Sequence, residues 1–101
     1  MIQVRRQTSD SWRDALIESL KDPEHAAGFI EAILEEKDPE PQLLSAALKD
    51  VIDARSAMQA LSESAKEKYE QLEKILSQSG GAEIYTFVEL LEALGFKLAI
   101  E

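Results

Sequence analysis

Ser19-Leu20-Lys21-Asp22-Pro23-Glu24-His25-Ala26-Ala27-Gly28-Phe29-Ile30-Glu31 is a helix start spelled out in side chains. Asp22 offers a carboxylate to the free backbone N–H groups of a first turn. Pro23 takes the first helical position, where a missing N–H costs nothing, and Glu24 suits the positive end of the helix dipole. From there to Glu36, the apolar residues Ala26, Phe29, Ile30, Ile33 and Leu34 recur at i, i+3, i+4, i+7 and i+8. That is the spacing of one buried helical face. A helix over 23–36 follows, and the helical period continues outward from it in both directions.

Toward the N-terminus, residues 10–21 place Trp12, Ala15, Leu16 and Leu20 on one face, with Asp10 or Ser11 as the cap. Toward the C-terminus, Lys37-Asp38-Pro39-Glu40-Pro41 breaks the chain, because two prolines so close cannot lie inside a helix. A third helix over about 41–55 buries Leu44, Ala47, Leu48, Val51 and Ile52. A short helix is expected over 57–64 around Met58 and Leu61, then a turn at Ala65-Lys66, then a helix over 67–77 with Tyr69, Leu72, Ile75 and Leu76 inward. Ser77-Gln78-Ser79-Gly80-Gly81 stops it. A last helix over 83–94 turns Ile84, Phe87, Val88, Leu91 and Leu94 inward, and Gly95 suits a left-handed cap. Phe96-Lys97-Leu98-Ala99-Ile100 alternates as a β-strand does. A lone strand lacks a partner within the chain, so pairing with the same strand of a second copy is its natural solution.

The chain has 101 residues, enough for a single domain over 1–101 that buries roughly two-thirds of its unfolded surface. It divides into N-terminal helices (1–55), a paired-helix unit (56–95) and the C-terminal strand (96–101). It has no cysteine, which excludes disulfides and thiolate metal sites and fits a reducing cytoplasm. No apolar run reaches the ~18 residues of a membrane span. Arg5 and Arg6 precede no apolar core, so the start does not read as a signal peptide.

Net charge is −9, and neither half is basic: residues 1–55 hold 7 basic and 12 acidic side chains, residues 56–101 hold 4 and 8. Binding DNA relies on Lys and Arg displacing condensed counterions, so composition leans away from nucleic acid. Catalysis has little support either. His25 is the only histidine, and without cysteine or a second histidine it builds no metal site. No nucleophile motif surrounds it, and Gly80-Gly81 lacks the spacing and lysine of a phosphate loop. Glu35-Glu36 and Glu40 fit a solvated face better than an acid/base pair. No enzyme, cofactor or metal is expected.

Residues 58–76 have the proportions of a helix-turn-helix unit, in which the second helix enters the major groove. That helix would present Lys66, Lys68, Gln71 and Lys74 outward, with Tyr69 beside them. Lysine can meet phosphate or guanine, and glutamine can pair bidentately with adenine. Glu67, Glu70 and Glu73 share the helix and would repel a phosphate backbone. A plainer reading is a Lys/Glu-laced solvent face with pairs such as Glu70–Lys74.

The 19–31 stretch, the run Leu44-Ser45-Ala46-Ala47-Leu48-Lys49-Asp50-Val51, a Met58-led segment and Leu94-Gly95-Phe96-Lys97-Leu98 together resemble the addiction-module antidotes (HigA-like antitoxins) over about 12–100. The resemblance implies an all-α, λ-repressor-like bundle, a homodimer closed by the C-terminal strands, and a cytoplasmic transcriptional regulator. Such a protein binds operator DNA and neutralises a basic toxin of the RelE-like type. Departures from the family pattern gather in the DNA-reading segment. Lys66 replaces its glycine turn, Lys68-Tyr69-Glu70 stands for Ser-Arg-Glu, Leu72-Glu73 for Leu-Tyr, and Gly81-Ala82 for Asn-Pro. Two expectations follow. One is a DNA-binding antitoxin reading through Lys66, Lys68, Tyr69, Gln71 and Lys74. The other is a module that keeps the fold, has lost DNA reading, and docks a protein through the acidic 22–40 region.

Overall fold

Asp22 caps as its position implies: Oδ1 accepts from the Glu24 N–H at 2.9 Å, and the helix opens at Pro23. The structure, a computed structural model, describes residues 9–100. Arg5 and Arg6 at one end and Glu101 at the other lie outside the described residues. Five helices follow: α1 Ser9–Leu20, α2 Pro23–Leu34, α3 Leu43–Ala57, α4 Glu63–Ser79 and α5 Ala82–Ala93. The all-helical class is as expected, and no strand occurs among the described residues.

α3 is the organising helix, packed against α1, α2 and α4. Its buried face is Leu44, Ala47 and Ala54, the last with no exposed surface. Leu44, Leu76 and Tyr85 form the core cluster, with Ile33, Leu34, Leu48, Leu72 and Ile84 against it. Side-chain bonds pin the elements together. Arg13 Nε donates to Asp50 at 3.0 Å, and its guanidinium also bonds Asp53, tying α1 to α3. The Ser45 hydroxyl reaches Glu73 at 2.7 Å, tying α3 to α4, and the Tyr85 hydroxyl donates to the Ile33 carbonyl at 3.0 Å, tying α5 to α2.

The α4–α5 corner consists of two glycines, Gly80 at φ 68° and Gly81 at φ 86°, both in the left-handed region that glycine alone enters freely. A methyl group on Gly80 would stand 3.1 Å from Pro41, and one on Gly81 3.1 Å from Leu44, so the corner seats directly on the start of α3. At the far end of α5, Gly95 at φ 90° closes the helix: Gly95 N–H bonds Glu92 O at 3.0 Å and Phe96 N–H bonds Leu91 O at 2.8 Å.

Two expectations are corrected, the helix and turn over 57–66 and the inward placement of several apolar residues. The short helix over 57–64 does not form, and the turn expected at Ala65-Lys66 lies inside α4, which runs unbroken from Glu63 to Ser79. Ser62 caps that helix, accepting from Ala65 N–H at 3.1 Å, and 63–79 contains neither glycine nor proline to interrupt it. The chain reverses earlier, at 58–62, where Gln59 adopts φ 57° and Ala60 N–H bonds back to Arg55 O at 2.9 Å. The strand expected over 96–100, which would need a second copy as its partner, is not seen among the described residues, where the Ile100 N–H donates to Glu31 on α2 at 3.2 Å. Trp12, Ile75, Phe87 and Leu94, placed inward by periodicity, are exposed; Ala54 and Tyr85, not placed there, are buried.

Candidate interaction surfaces

α4 is about 25 Å long at ~1.5 Å per residue. Its inner line is Tyr69, Leu72 and Leu76, and every residue from Ser62 to Lys68 is exposed, so its first two turns stand clear of the core. Lys66, Lys68, Gln71 and Lys74 are all exposed, as the sequence implies. They do not converge. At ~100° per residue, Lys66 and Lys68 lie about 160° apart around the axis, on opposite flanks. Lys74 lies nearer the outward midline, where Glu63, Glu67 and Glu70 are its exposed neighbours. None of the three lysines pairs with a carboxylate among the described residues, so the Glu70–Lys74 pair is not formed. Tyr69 faces the other way. It is half-buried on the α3 side, and burial together with the charge of Glu73 raises its pKa. It belongs to the packing of α4 and not to an outward reading face.

A second surface is acidic. Residues 22–40 hold seven carboxylates and one lysine. That lysine, Lys37, reaches across to Glu92 at 3.4 Å, leaving Glu35, Glu36, Asp38 and Glu40 exposed without a cationic partner among the described residues. Glu36, Asp38, Pro39, Glu40, Gln42, Leu43 and Ala46 line a cleft of about 470 Å³. Its lining mixes the carboxylates of Glu36, Asp38 and Glu40 with apolar Pro39, Leu43 and Ala46, a combination that suits the aliphatic stem and charged head of Arg or Lys. Sequence reasoning named the 22–40 region. The role of Lys37 was missed, because nothing local signals a contact with a residue 55 positions away.

A third surface is apolar and was missed altogether. Phe87, Leu90 and Leu94 on α5 are 56 %, 53 % and 60 % exposed. Periodicity placed Phe87 and Leu94 inward and did not single out Leu90.

The remaining ionisable cluster is structural. Burial works to raise the pKa of Asp53, but bonds and charges from Arg13 and Lys49 outweigh it and hold the carboxyl below its ordinary value. Arg13 is raised in turn, mainly by its bond to Asp53. Tyr85 is raised by burial and by the nearby charge of Glu36. No cluster of three or more potential metal ligands exists among the described residues, and no described helix is long and apolar enough to cross a membrane. In comparison with known proteins, no family model, curated protein or solved structure matches this chain.

Proposed function

We propose that this chain is a non-catalytic protein-binding module of the antidote type, which holds a basic partner protein against the acidic junction of α2 and α3. The observation that carries the reading is a cleft lined by three exposed carboxylates, Glu36, Asp38 and Glu40, beside apolar Pro39, Leu43 and Ala46, with no cation paired to those carboxylates among the described residues. Such a surface steers a cationic partner into contact and then offers its Arg or Lys side chains both charge and packing. The antidote resemblance makes a basic RelE-like toxin in the cytoplasm the partner to look for. The chain would be co-expressed with the product of the adjoining reading frame and purified by a tag on that product. Glu35→Lys/Glu36→Lys/Glu40→Lys should abolish co-purification while leaving helix content unchanged. Retention of the complex by this variant would refute the assignment.

A second reading, a repressor bound to operator DNA, is favoured by one observation: α3 and α4 are a helix pair joined by a short reversal, and the first two turns of α4 stand clear of the core. In that reading Lys66, Lys68, Gln71 and Lys74 meet the duplex, a λ-repressor-like pairing is made by α3 and α4, and 96–100 pairs as a strand with a second copy. The face carrying Glu63, Glu67 and Glu70 opposes it, since carboxylates at a phosphate backbone repel.

A further inference from the structure

α5 is apolar over more than half its circumference, and the fold covers only part of it. Tyr85 and Val88 point into the core. Phe87, Leu90 and Leu94 fall within an arc of about 60° on the opposite side, at ~100° per residue. Their spacing of three, then four, is the seam pattern of a helix that packs against another helix. A helix apolar on two sides is ordinarily buried on two sides.

We infer that the outer face of α5 packs antiparallel against α5 of a second copy of this chain, about a two-fold axis beside Leu90. Self-complementarity selects that occupant. A two-fold contact must match a surface to itself, and here Phe87 of each copy meets the smaller Leu94 of the other while Leu90 meets its own counterpart. The charges agree with the direction. Glu83 lies on the same arc at the start of α5, bonded to the Ser79 hydroxyl at 2.8 Å and without a cation among the described residues. Lys97 is exposed just beyond the other end and has no carboxylate partner among them. Antiparallel packing brings Glu83 of each copy to the end where Lys97 of the other emerges, and sets the helix dipoles head to tail; parallel packing would set Glu83 against itself. The strip is a poor site for a basic partner, because Glu83 is its only carboxylate.

The area fits a weak dimer. At their exposures, the three side chains offer about 350 Å² of apolar surface per copy, judged from the ~150–250 Å² an aromatic ring buries. The two strips together cover about 700 Å² of apolar surface, below the ~1,200 Å² low end of specific interfaces, which makes the dimer weak and dependent on concentration. This surface lies apart from the acidic cleft and stands whether or not the cleft binds a protein.

Sedimentation equilibrium of the full chain across micromolar to submillimolar concentrations tests the pairing. A monomer–dimer equilibrium is expected, and Leu90→Glu should raise its dissociation constant at least about tenfold with helix content unchanged by circular dichroism. Glu83→Lys should also weaken the dimer, and Glu83→Lys/Lys97→Glu should restore it, which only an antiparallel contact does. A chain monomeric throughout overturns the inference. So does a dimer indifferent to Leu90→Glu, including one lost instead on removal of 97–101, which would point to strand pairing.

Discussion

Gln59 sits in the left-handed region at φ 57°, closing α3 where a glycine would close it without strain. A side chain there costs about 1 kcal/mol, so Gln59→Gly should raise stability by up to about 1 kcal/mol in urea melts. Gly81 is the reverse case. At φ 86°, with Leu44 only 3.1 Å from a would-be methyl, Gly81→Ala should destabilise by roughly 2 kcal/mol or more. Asp53 gives the molecule an acid limb. Its folded pKa lies below the ordinary 3.8, so its contribution is complete above that value and is lost as pH falls through the folded pKa. The tyrosines act at the other end: Tyr69 and Tyr85 are raised above 10.0, so their contribution is complete below that pH and fades as pH rises through the folded pKa. Thermal melts of Asp53→Asn should show a shallower loss below pH 4 than the parent, with little change in shape near neutrality.

Among the elements, α2 was legible to the residue at its start because every cue is local: a cap, a proline at the first position and an acid behind it. The end of α5 was legible for the same reason, through Gly95. The α3–α4 reversal was not. Gln59 carries no sign that it will turn left-handed, and the helix-forming run from Glu63 to Ser79 contains no interruption to mark a start. The inner face of α5 failed differently. With Ile84, Phe87, Val88, Leu90, Leu91 and Leu94 all apolar, two faces satisfy the helical period, and only the packing of Tyr85 against α2 decides between them. Glu67→Pro tests the continuity of α4 directly. In a helix that begins at 67 the proline would occupy the first position and be harmless. In α4 it stands in the fifth, and should cost about 3 kcal/mol with a measurable fall in helicity.

Taken whole, the molecule measures 59 × 32 × 28 Å with a radius of gyration of 15.7 Å, against about 13 Å for a spherical domain of this length. That elongation separates its surfaces: mixed charge along α4, carboxylates at the α2–α3 junction, and an apolar strip on α5. With twenty acids against eleven Lys and Arg in the sequence, no broad basic stripe forms among the described residues, and the three lysines of α4 do not make one. Under the proposed function, this distribution serves contacts with protein and not with a duplex. The most direct check is a gel-shift titration of the chain against its own upstream DNA and a scrambled duplex, at about 50 and 200 mM salt. No preference for the upstream sequence is expected, and any retardation at low salt should be the same for Lys68→Glu. A sequence-specific shift that weakens steeply with salt and disappears in Lys68→Glu would contradict it.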